Sequence, residues 1–318
     1  MFRLVHLSDP HLGPLPGARL RDLASKRILG YANWHRSRYR FHRTDVLEAV
    51  VAHVRGLGAD HIAVTGDLVN IALPGEFEAA RHWLDTLGAP GDISVTPGNH
   101  DAYVAFPFDE GIGRWEPYME SDPGLPVTPG MFPFVRRRDG VSLIGLSTGV
   151  PAPFFKATGL LGADQIDRFE TVMAEERDAG QMRVVLMHHP PYPDGTPIHK
   201  RLLDGSAFLE ALARVGADLV LYGHNHRYAL AWLEGPDNTI PAVGVPSASA
   251  AVTDTGGEGG GHLFTIEPSA TGTRIHLERF GADGRTIRQV APAIRLDSED
   301  QATVTALLKA SSGAGLSD

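Results

Sequence analysis

Five short clusters in this chain set Asp, Asn and His side by side. They are Asp9-Pro10-His11, Gly66-Asp67, Gly98-Asn99-His100-Asp101, His188-His189-Pro190-Pro191 and Gly223-His224-Asn225-His226. Their side chains are oxygen and imidazole donors, and the 318 residues include no cysteine that could add a thiolate or a disulfide. A donor set of this kind suits borderline divalent ions such as Mn, Fe, Co, Ni or Zn. Asp9 and His11 stand two residues apart, as do His224 and His226. In extended backbone such pairs leave the chain on one side and can reach one cation or two adjacent ones. Two ions sharing one carboxylate would be served by Asp9, His11, Asp67, Asn99, His188, His224 and His226. Ions about 3.5–4 Å apart can clamp the oxygens of a phosphoryl centre and lower the pKa of a water between them.

Something must carry these clusters to one place. Each follows a short apolar run: Leu4–Leu7, Ile62–Thr65, Ile93–Val95, Val184–Met187 and Leu219–Tyr222. Short apolar runs bounded by polar turns read as buried strands. Between them the spacing predicts helices over 44–57, 74–87, 163–179 and 206–215. In the first, Thr44 is placed to cap, and Val46, Leu47, Val50, Val51 and Val54 form the apolar stripe. This βαβ rhythm implies a mostly parallel sheet with functional residues at the carboxyl ends of its strands. Antiparallel strands are expected over 132–136 and 141–146, around Arg138-Asp139-Gly140, and begin a second sheet. Further strands are expected over 228–233, 240–245, 262–266, 274–280 and 285–290. The loop-rich stretch 102–130 reads as packed surface or, alternatively, a lid over the site, and the glycine-rich stretch 246–261 as flexible surface near the site. The chain reads as one domain over 1–292, followed by a tail with a short helix at 303–309 and a disordered end.

Residues 14–44 form an insertion of another character. Arg19, Arg21, Lys26, Arg27, Arg36, Arg38, Arg40 and Arg43 face the single acid Asp22, with Tyr31, Trp34, Tyr39 and Phe41 among them. The whole chain carries a formal charge of −9, so it does not suit generic nucleic-acid binding, and this stretch is a local exception. It follows directly on the first donor cluster. Read functionally it is a basic cap that attracts a phosphorylated substrate, or an anionic lipid surface through 19–43. Read structurally it is a solvated helix pair. No apolar run is long enough to cross a membrane and no leader is visible, which makes the cytoplasm the expected compartment.

The motifs D-x-H, G-D, G-N-H-D, H-H-P-P and G-H-N-H, in this order over residues 2 to about 245, resemble the calcineurin-like metallophosphoesterase family. The resemblance implies an α/β fold, a four-layer αββα sandwich of two mixed sheets flanked by helices. It implies that Asp9, His11, Asp67 and His226 hold one metal and that Asp67, Asn99, His188 and His224 hold the other, with manganese or iron favoured. It makes His100 the non-ligand histidine that stabilises the phosphoryl oxygens or protonates the leaving group, and Asp101 the group that orients His100. It favours His188 as the ligand over His189, because the family's ligand directly follows the strand.

G-N-H-D with H-H-P-P in a compact chain looks most like the bacterial cyclic-nucleotide and glycerophosphodiester branch. The expected activity is hydrolysis of a small phosphodiester by a metal-bridging hydroxide. A phosphomonoesterase or a lipid-linked pyrophosphate hydrolase is the alternative, and a non-catalytic scaffold the remote one. A small phosphorylated substrate is the expected partner, with no stable nucleic-acid partner; a homo-oligomer is compatible with the pattern. His6, His53, His61, His82, His199 and His276 carry no motif and read as surface or core. His35 and His42 go with the basic stretch, and His262 stays unassigned.

Overall fold

The strand ends expected from sequence belong to two six-stranded sheets. A computed structural model describes residues 1–125, 131–194, 196–252, 258–269 and 272–296. In the first sheet β1 (Phe2–Leu7), β2 (His61–Val64) and β3 (Ile93–Val95) run parallel. The second holds β4 (Phe134–Arg138), β5 (Val141–Gly145), β6 (Met182–Leu186), β7 (Leu219–Tyr222), β8 (Ala229–Leu233) and β9 (Ile240–Gly244). Its order is β4-β5-β6-β7-β9-β8, parallel from β5 to β9 with an antiparallel strand at each edge. The chain then returns to the first sheet through β10 (Gly259–Ser269), β11 (Gly272–Asp283) and β12 (Thr286–Arg295), antiparallel and seated beyond β1.

Alternation along the strands builds the layers. Phe2 and Leu4 of β1, with Leu219 and Leu221 of β7, join one apolar cluster between the sheets. Val5 and Leu7 face the other way, toward helices α3 (Thr44–Gly56) and α4 (Pro74–Leu87). Val220 and Tyr222 do the same toward α5 (Ala163–Asp178) and α6 (Gly205–Val215). Period-two side chains on twice-covered strands give this helix–sheet–sheet–helix stack. Among the described residues, no helix is long and apolar enough to cross a membrane.

Several local expectations change. Thr44 is the first residue of α3 and does not cap it; Arg43 precedes it in extended backbone, paired with Asp45. In 102–125, Trp115, Tyr118 and Met119 are fully buried and the Trp115 indole donates to the Phe77 carbonyl, so this part is packed against α4. The stretch 246–261 is not all loose surface. Ala248 and Ala250 are buried, Ala248 N–H donates to the Ser8 carbonyl, and Gly259, Gly260 and Gly261 open β10. His262, expected to open a strand but left without a role, is a buried residue of β10 opposite His6. β12 runs to Arg295, into the segment expected to be tail, and the helix expected at 303–309 lies outside the described residues.

Candidate metal centre and its cover

All five donor clusters leave the carboxyl ends of β1, β2, β3, β6 and β7 and meet where the two sheets come together. Backbone ties hold the turns in register: Asp9 N–H donates to the Gly66 carbonyl at 2.9 Å and His11 N–H to the Asp67 carbonyl at 3.1 Å. The second sheet is tied in by His224 N–H, which donates to Asp9 Oδ2 at 3.0 Å. Gly66, at φ 91°, leaves no room for a side chain, since a Cβ there would meet the Gly98 backbone and the His188 ring.

Asp9, His11, Asp67, His224 and His226 all have positive φ, between 39° and 68°. Non-glycine residues adopt this conformation rarely, and such strain collects at functional sites. Five of the seven residues expected as ligands share it, so the turns are shaped by the centre they form.

Three donor groups emerge, each with its ligand atoms within 4.8 Å of one another: Asp9, His11 and His226; His11, Asp67 and His100; Asp67, His188 and His224. The last group tests whether a cation belongs here. The outer nitrogen of His188, Nδ1, donates to the Thr65 carbonyl at 2.7 Å, and His224 Nε2 donates to the Lys200 carbonyl at 2.9 Å. Those bonds leave lone pairs on His188 Nε2 and His224 Nδ1, which face each other at 3.3 Å. Asn99 Oδ1 lies 3.2 Å and Asp67 Oδ2 3.3 Å from the same His188 nitrogen. Four acceptors converge, and the ring N–H groups that could have paired with them are engaged elsewhere. A divalent ion fits this arrangement, and the outward bonds are those that orient metal-bound imidazoles. Burial opposes charge on His188, yet the Asp67 and Asp9 carboxylates push its pKa up to about 10. On the other side His226 Nε2 lies 3.0 Å from Asp9 Oδ1, and His11 Nε2 lies 3.8 Å from Asp9 and 3.7 Å from Asp67.

His189 is separate from this set. Its Nδ1 meets Thr148 Oγ1 at 2.7 Å and its Nε2 the Ala157 carbonyl at 3.2 Å, while burial lowers its pKa to about 3. His100 sits at the rim with its Nδ1–H on the Asn70 carbonyl. Burial, and then the charge of Arg38, lower its pKa to about 4. The contact expected between Asp101 and the His100 ring is not made. The Asp101 carboxylate instead accepts backbone N–H groups from Asp67 at 2.8 Å, Val69 at 3.0 Å and Gly98 at 2.8 Å. It clamps the two turns that carry Asp67 and Asn99, and the Asn70 carbonyl is what orients His100.

The insertion covers this centre. Helix α1 (Arg27–Asn33), a π-helical turn at Trp34–Arg38 and the short α2 (Tyr39–Phe41) run over it. Such widened turns recur at functional sites. Arg38 Nη1 donates to His100 Nε2 at 3.1 Å and Nη2 to His11 Nε2 at 3.2 Å. His42, four residues on, packs its ring at a tilt of 53° against His11 with centroids 4.3 Å apart and bonds Ser249 Oγ at 3.0 Å. Sequence reasoning placed Arg38 and His42 in a basic stretch without singling out either. Their i, i+4 spacing was the available signal. Not every cation of the insertion is free: Lys26 Nζ donates to the Ala152 carbonyl, and buried Arg27 to the carbonyls of Ile71 and Ala72. Beneath the cover lies a cavity of about 600 Å³, reached by Arg38, Asp67, Asn99, His100, His224 and His226.

Two packed mixed sheets with carboxylates, an amide and imidazoles gathered at their strand ends define a metal-dependent hydrolase of phosphate esters. The chain belongs to the calcineurin-like phosphoesterase family, whose model matches residues 2–228. It is 27% identical over 226 residues to a probable cyclic nucleotide phosphodiesterase of Synechococcus, covering 70% of this chain and 78% of that protein. It is also 27% identical over 200 residues to the glycerophosphodiester phosphodiesterase GpdQ of Enterobacter lignolyticus, covering 61% of this chain and 66% of that protein. Its fold resembles a dimetal phosphatase from Danio rerio, with a TM-score of 0.58 at 12% identity over 93% of this chain and 98% of that one.

Proposed function

We propose that this chain is a dinuclear metal-dependent phosphodiesterase for a small phosphodiester of the cyclic-nucleotide or glycerophosphodiester kind, with manganese or iron the favoured metal. The observation that carries the reading is the meeting of Asp67 Oδ2, Asn99 Oδ1, His188 Nε2 and His224 Nδ1 as four acceptors. Asp9, His11 and His226 would hold a second ion, with Asp67 between the two. When bound, the ions supply Lewis acidity to the phosphoryl oxygens and lower the pKa of a water nucleophile. The diester preference is supported by the two relatives, both phosphodiesterases by name, and the cavity of about 600 Å³ has room for a nucleotide-sized ligand.

This chain's own residues would supply the rest. His100 has Nδ1–H fixed on the Asn70 carbonyl, so Nε2 is the atom left for substrate; after taking up a proton there it would donate to a phosphoryl oxygen or pass that proton to the leaving group. Arg38 shares the His11 Nε2 lone pair that a metal would take. With that lone pair taken, Arg38, which lines the cavity, would be free to donate to a phosphate oxygen. Asp101 would keep Asp67 and Asn99 in place by gripping their turns.

The test is metal-dependent hydrolysis. Apoprotein is reconstituted with Mn, Fe, Co, Ni or Zn and offered an aryl phosphodiester, an aryl phosphomonoester, a cyclic nucleotide and a glycerophosphodiester, with bound metal counted in parallel. Diester turnover that needs metal and vanishes in Asp67→Asn is expected. Preference for the monoester would move the chain to the phosphatases. Uptake of two metals without turnover of any substrate would reject the catalytic reading.

A further inference from the structure

Large apolar side chains in contact with water are not scattered over this molecule. Twelve are exposed among the described residues, and nine of them belong to three segments at the mouth of the cavity. Leu20, Ile28, Leu29 and Tyr39 come from the insertion. Phe154, Phe155 and Leu160 come from the loop after β5, and Ile198 and Leu203 from the loop after β6. Leu20 is 91% exposed, Phe155 86% and Ile198 77%. Phe155 also stands at φ 61°, unusual for a bulky residue, so its outward position is held by a strained backbone.

The three segments are joined to one another. Lys26 Nζ donates to the Ala152 carbonyl at 2.6 Å, tying the insertion to the second segment. Ala157 N–H donates to the His199 carbonyl at 2.8 Å and Leu203 N–H to the Gly159 carbonyl at 2.9 Å, tying the second to the third. Each lines the cavity as well, through Arg38, Ala157 and Lys200 respectively. The apolar residues therefore lie on the three segments that border its opening.

That rim is strongly basic. Residues 19–41, 153–160 and 197–203 contain ten Lys and Arg and one acid, Asp22, in a chain whose formal charge is −9. Arg19, Arg21, Arg36, Arg40, Lys156 and Lys200 are exposed. Apolar side chains projecting through a ring of cations match the two faces of an anionic bilayer, its acyl boundary and its charged headgroups. A second copy of the chain does not match. A twofold contact through this surface would press the same cations against one another. A polynucleotide would leave Leu20, Leu29, Ile198 and Leu203 with nothing to bury.

We propose that the cavity mouth docks on an anionic lipid surface, with Phe154, Phe155 and Ile198 entering the interface and the cations around them holding the headgroups. The phosphoesterase site would then open onto the membrane, where phosphodiesters of lipid origin are concentrated. The docking is independent of the metal chemistry and is measured separately from it.

The full-length, metal-loaded protein is sedimented with vesicles of phosphatidylcholine alone and of phosphatidylcholine mixed equally with phosphatidylglycerol. Binding to the mixed vesicles is expected, weak binding to the neutral ones, and release as salt is raised. Each cation near such a surface contributes a factor on the order of five, so Arg36→Glu with Arg40→Glu should lower the partition by more than tenfold. Phe154→Ser with Phe155→Ser should lower it by about tenfold at equal vesicle charge. Both variants should keep the circular dichroism and the bound metal of the parent. Absence of binding to mixed vesicles, or equal binding to both kinds, would overturn the proposal. Self-association that these variants abolish, without vesicle binding, would give the surface to a second copy and overturn it too.

Discussion

Gly98 is where a single methyl group should separate the architecture from its chemistry. It lies at the end of β3, packed against the turn that carries Asp67. A Cβ there would sit 2.6 Å from Asp67 N and 2.9 Å from Asp67 Cγ, and nearer still to Oδ1, where ordinary contact begins at 3.4 Å. Neither neighbour can yield cheaply. The backbone N–H is bonded to Asp101, and Oδ1 accepts His100 N–H at 2.7 Å. Gly98→Ala should therefore drive the Asp67 carboxylate back by roughly 1 Å, and a misplacement of that size costs on the order of 100-fold in rate. Metal ligation tolerates only about ±0.2 Å, so one of the two ions should also be lost. Overpacking should lower stability by about 1–3 kcal/mol, which leaves the fold intact. Three measurements on the desalted, metal-loaded protein decide the matter: metal content, kcat/KM on an aryl phosphodiester, and thermal unfolding. Gly56→Ala is the control, because nothing lies within 4 Å of a Cβ at that helix end, and it should match the parent in all three. If Gly98→Ala binds two metals and turns over within threefold of the parent, Asp67 is not the shared ligand held by this packing.

His100→Ala should bind both metals as the parent does and lose about 10²- to 10⁴-fold in kcat. Unchanged turnover with retained metal would remove His100 from the chemistry. Arg38→Ala should raise KM for an anionic diester by tenfold or more and tighten metal binding to the apoprotein, because it removes the guanidinium that competes for His11 Nε2. A metal affinity equal to the parent's would show that Arg38 and the metal do not compete. Far from the site, burial pushes the Glu176 carboxyl up, but the Arg137 fork, at 2.8 Å from both oxygens, and the Ser142 hydroxyl outweigh it and hold its pKa below the usual range. A depressed folded pKa contributes stability above the unfolded value of about 4.3 and loses it as pH falls through the folded one. Glu176→Gln should cost about 1–2 kcal/mol at neutral pH, discounted because Arg137 is partly exposed. It should also flatten the acid limb of the stability curve, as urea unfolding at pH 7 and at pH 3 will read; equal losses at both would refute the assignment.

The donors of the metal centre were legible because each is a local event. An apolar run makes a buried strand, its polar end makes a turn, and the side chain in that turn is Asp, Asn or His whatever the rest of the chain does. The order of the five turns was enough to suggest the family, and alternation along the strands was enough for two covered sheets. Direction was not legible. Which nitrogen of His188 faces inward depends on the Thr65 carbonyl, and which atoms Asp101 binds depends on the turns of β2 and β3 lying side by side. His262 was expected to open a strand, but only the pairing of that strand with β1 set it opposite His6. The positive φ of Asp9, His11, Asp67, His224 and His226 has no local cause in the sequence, because none of them is glycine.

The cover shows the same division. Composition marked 14–44 as basic and aromatic, but only the packed chain put Arg38 and His42 over His11 and sent Arg36 and Arg40 outward. The rest of the rim comes from loops that follow strands of the second sheet, more than a hundred residues along the chain. Sequence by itself determined the kinds of atoms available and the strands that carry them, since those depend on neighbours a few residues away. Tertiary structure decided where the atoms point and which surfaces adjoin, since those depend on pairings between distant residues that no local pattern encodes.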